Sequence, residues 1–179
     1  MADRTVTKSI ANVSPGSYSE VLGAHMNAVA CSLLTDPGLR IVGGSASALA
    51  EHQNALYAVV NGVILTVAAG TDLPALVGTV SNAEFGLFVW TVDSAGTVAQ
   101  LTLATATTLG GITVPSIPDN KAVVGAIIIN PTGTGDFVGG TTLLDDGTVA
   151  PNAVFIDGND CRVLNRIIFG DTGVVPASS

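Results

Sequence analysis

The pair Asn61-Gly62 constrains this chain more than any other feature of its sequence. It separates Ala55-Leu56-Tyr57-Ala58-Val59-Val60 from Val63-Ile64-Leu65-Thr66-Val67-Ala68. Asn and Gly accept the positive φ angles of a type I′ turn, whose twist matches that of paired strands. The two runs are therefore expected to form a tight antiparallel hairpin. The same pair interrupts the most apolar window, Ala55 to Ala69. That window falls short of the roughly 20 uninterrupted apolar residues a spanning helix needs, so no membrane partner is expected.

Further strand signals follow. Phe85 to Val92 carries Phe85, Phe88 and Trp90, turns at Asp93-Ser94-Ala95-Gly96 and is answered by Thr97 to Leu103. Val123 to Ile129, inside an apolar run from Ala122, is apolar on both faces, as a central strand should be. Ala153 to Asp157 and Arg162 to Phe169 read as later strands, and Arg40 to Ser45 as a short one broken at Gly43-Gly44. Leu49 to Asn54 reads as a polar link, Gly70 to Pro74 as a loop, and Val114 to Lys121, with Pro115 and Pro118, as a bend. Ala104 to Gly111 suits strand, loop or short helix equally. Turn signals recur at roughly 8–12-residue intervals, with no alternation of strands and helices after residue 40. The expected fold class is mainly β: an antiparallel β-sandwich or Greek-key (jelly-roll-like) domain with one N-terminal helix.

That helix is placed by its own signals. Residues 1–16 read as an extended arm ending in Ser14-Pro15-Gly16. Ser17-Tyr18-Ser19-Glu20 fits a capping box, and Asp36-Pro37-Gly38 is a stop, which predicts a helix from about 17 to 34. Leu22, Met26, Val29 and Leu33 recur at the four-three-four spacing of a helix seam. Two heptads are too few for an isolated coiled coil. The seam either packs on the domain's own sheet or lines an oligomer axis. One β-rich domain over 17–169 and a tail over 170–179 complete the expected organisation, which suits a chain of 179 residues.

Charged residues make up only 11% of the chain and aromatics 4%, so much apolar surface is expected to be buried against other subunits. Net charge is −8, and Arg4, Lys8, Arg40, Lys121, Arg162 and Arg166 are scattered singly. Without a basic stripe, nucleic acid is not an expected partner. The first residues contain no apolar core of a secretory signal. Cys31 and Cys161 accordingly read as buried thiols, with one disulfide as the alternative.

No catalytic constellation is present in the pattern. His25, on the predicted helix, and His52, in the polar link, have no His or Cys at metal-ligand spacing. Gly133-Thr134-Gly135-Asp136-Phe137 lacks both the GxGxxG spacing and a following Gly-Lys-Ser/Thr. Thr134, Asp136 and Phe137 are instead candidates for contact with a neighbouring subunit, with Phe137 tucked beneath the loop. Asp136, Asp145, Asp146, Asp157 and Asp160 offer hard oxygen atoms suited to calcium, but such residues also build ordinary turns. A paired-carboxylate hydrolase would need two of them in one cleft. Tyr57, Phe88 and Trp90 sit inside predicted strands, as core residues do, rather than on sugar-stacking loops. The expectation is a protein that is not an enzyme, with no catalytic, cofactor-binding or metal residues.

Three stretches together carry a resemblance. They are Ala68-Ala-Gly-Thr-Asp-Leu73 after the Asn-Gly hairpin, Val92-Asp-Ser-Ala-Gly-Thr-Val98, and Asp119-Asn-Lys-Ala-Val-Val-Gly125 leading to Asp136-Phe-Val-Gly-Gly-Thr-Thr-Leu-Leu-Asp-Asp146. The arrangement, over roughly residues 55 to 157, is similar to tailed-bacteriophage virion proteins of the head decoration, cement or head-fibre type. The resemblance implies a homo-oligomer, often a trimer, on the capsid exterior, with the major capsid protein as partner and no enzymatic activity. A receptor- or glycan-binding module of a fibre or tail is the alternative. No family site residues carry over.

Overall fold

The computed structural model describes residues 31–158, which form thirteen short to medium strands and two single 3-10 turns. In chain order the strands are β1 (Cys31–Leu33), β2 (Leu39–Ile41), β3 (Ala50–His52), β4 (Leu56–Val60), β5 (Val63–Val67) and β6 (Thr71–Asp72). They continue with β7 (Thr79–Val80), β8 (Phe85–Asp93), β9 (Val98–Gln100), β10 (Ala104–Ala106), β11 (Lys121–Ile129), β12 (Phe137–Val138) and β13 (Val154–Asp157). Every pairing among them is antiparallel. The fold is mainly β and sandwich-like, as expected.

The nine-residue strands β8 and β11 pair along their whole length at the centre of one sheet, in the order β10-β8-β11-β13, with β9 also on β8. Seven consecutive residues of β8, Gly86 to Val92, are buried, so the sheet is covered on both faces. Phe88, Trp90 and Val92 enter one core, while Leu87 and Val89 enter a second. On β11 the parity changes part-way. Ala122 and Val124 face the first core, but so do Ile127 and Ile129. The register slips between Val123 and Gly125, leaving Val124 as an extra residue. A bulge of one residue exchanges the two faces of everything beyond it.

The hairpin expected at Asn61-Gly62 is present. Asn61 (φ 51°) and Gly62 (φ 77°) both take the left-handed conformation, and β4 and β5 pair from Val60↔Val63 to Leu56↔Val67. Leu56, Ala58 and Val60 are fully buried in the first core, and β1 completes a three-stranded hairpin sheet in the order β1-β4-β5. Both β1 and β4 lie against β11.

Three expectations are corrected. The predicted helix to Leu34 cannot reach that far, because Cys31–Leu33 is strand, paired as Cys31↔Val60, Ser32↔Val59 and Leu33↔Ala58. Leu33 packs on the first core from this strand. It is therefore not part of a helical seam; Leu22, Met26 and Val29 lie outside the described residues. The polar link Leu49 to Asn54 holds β3, which is buried throughout and sits between β2 and β6. Gly70 to Pro74 likewise contributes the two-residue β6. The expected strand Arg162 to Phe169, the arm and the tail lie outside the described residues.

Both ends of the described chain come to the first half of β11. The Cys31 thiol donates to the Asp119 carbonyl, 3.1 Å away, just before that strand begins. Gly158 rests on the Val123 and Val124 backbone, with no room for a side chain.

Candidate functional site

The glycine-rich loop after β11 is braced by its own backbone. The amides of Thr132, Gly133 and Thr134 donate to the carbonyls of Ala150, Val149 and Thr148 at 3.2, 3.0 and 2.8 Å. Three successive donors that would cradle an anion are therefore already engaged. Asn82 ties the same loop from outside. Its Nδ2 donates to the Gly133 carbonyl at 2.9 Å, and its amide donates to Asp136 Oδ1 at 2.9 Å. Gly133 fits only as glycine, since a Cβ there would collide with the Thr148 carbonyl.

Of the three loop residues singled out, Thr134 and Asp136 are exposed and Phe137 is fully buried. Phe137 meets Phe88 edge-to-face, ring centres 6.1 Å apart, beneath the loop. That burial corrects Phe137 as a contact for a neighbour. Its successor Val138 is 41% exposed. Val77 (72% exposed) and Leu143 are exposed apolar residues on the adjoining segments, and together the three define a candidate platform. Backbone bonds Gly139 to Gly78 (2.9 Å) and Thr142 to Val138 (2.8 Å) tie the three positions together. Gln100 clamps Val77 by accepting from its amide and donating to its carbonyl, at 2.8 and 3.0 Å.

The aspartates do not converge. Asp145 Oδ2 accepts from the Ala46 amide, Asp146 Oδ1 from Thr148 and Val149, and Asp157 Oδ1 from Leu39, each at 2.7–2.9 Å. With Asp136 on Asn82, four carboxylates serve four different pieces of backbone, and Asp160 lies outside the described residues. No group of three or more His, Cys, Asp or Glu side chains suited to a metal occurs among the described residues. The turn chemistry read from the sequence accounts for these residues.

The remaining polar residues stabilise the core. His52 is fully buried; its Nδ1 donates to the Asn54 carbonyl at 2.8 Å, which fixes the tautomer. Its neighbour Glu51 is 7% exposed and holds Arg40 Nε at 2.8 Å. Nothing in the apolar pattern of Leu49 to Asn54 announces that these residues are interior. Trp90 donates its indole N–H to the Pro74 carbonyl at 3.1 Å and, like Phe88, has no exposed surface. Tyr57 stands apart from them at 43% exposure, on the outer face of the hairpin sheet with Ile64 at 70%.

Charge divides unevenly between the described residues and the rest. Arg4, Lys8, Arg162 and Arg166 lie outside them, as do Asp3, Glu20, Asp160 and Asp171. The described part therefore carries the whole formal charge of −8, with Arg40 and Lys121 as its two basic side chains. No strand of the hairpin sheet bears a charge.

No family model, curated protein or solved structure matches this chain.

Proposed function

We propose that the protein is a non-enzymatic structural component of a tailed-phage virion. It would sit on the capsid exterior as a homo-oligomer, in the form of a trimer, and bridge copies of the major capsid protein. The observation that carries this reading is the platform of Val77, Val138 and Leu143. It places exposed apolar side chains on backbone that is hydrogen-bonded on several sides, so little ordering entropy is lost on docking. Thr134 and Asp136, on the adjoining braced loop, would supply its polar rim. The sequence resemblance supplies the viral setting, and the platform supplies a contact surface consistent with it. In the same reading the carboxylates, each engaged with backbone, need no substrate to explain them.

The test is whether the protein co-purifies with virions, and whether heads stripped of it burst at lower heat or milder osmotic shock. Val138→Asp should abolish rebinding to stripped heads while leaving the protein folded. Rebinding at wild-type affinity would reject the platform as the contact. The alternative, a glycan-binding tip, is less well supported. Phe88 and Trp90 are interior, and exposed Tyr57 lies within a strand rather than on a loop. Reproducible hits on a glycan array would revive that reading.

A further inference from the structure

We infer that Asn61 is a site of spontaneous covalent modification, at which the Gly62 amide nitrogen attacks the Asn61 carboxamide and the product opens the hairpin from its tip. Ring closure of this kind needs three conditions together. The departing carboxamide nitrogen must be unheld, the following amide must not already be donating, and the following side chain must allow close approach. Glycine meets the last condition best, because it has no Cβ.

Six asparagines fall among the described residues. Four of them have Nδ2 engaged. Asn54 donates to the Asp36 carbonyl at 3.1 Å, Asn82 to that of Gly133 at 2.9 Å, Asn130 to that of Glu84 at 2.8 Å and Asn152 to that of Asn130 at 2.9 Å. Asn120 has no such bond, but the amide that follows it, on Lys121, donates to the Pro118 carbonyl at 3.0 Å. Asn61 escapes both restraints. Its Oδ1 faces the Cys31 thiol, 3.6 Å away, and its Nδ2 has no partner among the described residues. The β4–β5 ladder closes at Val60↔Val63, so the Gly62 amide lies outside it and donates to no described group. Both residues are exposed to the water that the reaction consumes.

The step balances with water as its only co-reactant. A bond forms between Gly62 N and Asn61 Cγ, the Cγ–Nδ2 bond breaks, and the Gly62 amide proton completes the departing ammonia. Water then opens the cyclic imide. Opening at the side-chain carbonyl leaves aspartate, and opening at the main-chain carbonyl leaves isoaspartate. Either product puts a carboxylate on a hairpin sheet whose strands bear no charge. Isoaspartate also adds one carbon to the main chain, which a two-residue turn cannot absorb while Val60 and Val63 stay paired. Val60 is fully buried, so the loosening reaches the first core.

Incubation of the purified full chain in mildly alkaline buffer, followed by peptide mass mapping, tests this. The peptide holding Asn61 should gain about 1 Da, at least about tenfold faster than those holding Asn54, Asn82, Asn120, Asn130 or Asn152. Gly62→Ala, where an added Cβ meets nothing within 4 Å, should slow the gain at least about tenfold. In the isoaspartate fraction, the Val60 and Val63 amides should exchange hydrogen at least about tenfold faster than in unmodified protein. No gain at Asn61, a faster gain at another of these asparagines, or an unchanged rate in Gly62→Ala would overturn the site. Unchanged exchange at Val60 and Val63 would overturn the loosening.

Discussion

At the scale of single residues, two glycines of similar appearance in the sequence have opposite surroundings. A Cβ on Gly133 would strike the Thr148 carbonyl and the Val149 backbone, neither of which can rotate away. A Cβ on Gly147 would meet nothing within 4 Å. Gly133→Ala should therefore cost about 2 kcal/mol or more in urea denaturation, and Gly147→Ala less than about 0.5 kcal/mol. Trp90 offers a second comparison. As the chain's single tryptophan, fully buried, its fluorescence should shift to the red in one cooperative step on unfolding. Trp90→Phe removes the donor to the Pro74 carbonyl and leaves part of the site unfilled, a loss of about 1–3 kcal/mol expected from chemical denaturation. The burial of Phe88, Trp90 and Phe137 could be anticipated because large apolar residues in strands rarely stay outside. That of His52 could not, since its partner is a backbone carbonyl that no side-chain pattern encodes.

At the scale of elements, the bulge in β11 decides which side chains meet. Removing Val124 would return the strand to a simple two-residue period with Ile127 and Ile129 still on the first core, at the loss of the buried Val124 side chain and of the local kink. The deletion is expected to leave unfolding cooperative while costing about 1–3 kcal/mol, read by circular dichroism and calorimetry. A milder change, Gly62→Val, forces a β-branched residue into the left-handed region at φ 77° and should cost about 1–2 kcal/mol in thermal melts. The Asn61-Gly62 hairpin was legible because two adjacent residues determine it. The boundary at Cys31 was not: Cys31-Ser32-Leu33-Leu34 continues the helical spacing from Leu22, and only pairing with Val60, Val59 and Ala58 makes it a strand. β3 was hidden for the same reason. Ala50-Glu51-His52 has no apolar alternation and is strand because β2 and β6 flank it.

At the scale of the whole molecule, the mainly β class followed from turn spacing and the absence of helix–strand alternation, both of which run from about residue 40 onward. The platform of Val77, Val138 and Leu143 was less accessible, because it joins segments about 60 residues apart through the small β7–β12 pair. Only Thr134 and Asp136, nearby in sequence, pointed towards it. The meeting of both ends of the described chain beside β11 has a consequence for how the body could be rebuilt. Asp119, which receives the Cys31 thiol, lies in the turn just before β11, and Val123, against which Gly158 rests, is the third residue of that strand, so the two are at most about 13 Å apart. Position 158 could therefore be joined to position 31 through a linker of about six residues, with new ends opened at the exposed Gly147. Such a circular permutant of residues 31–158 would leave every strand pairing among them in place, with its new ends at Gly147.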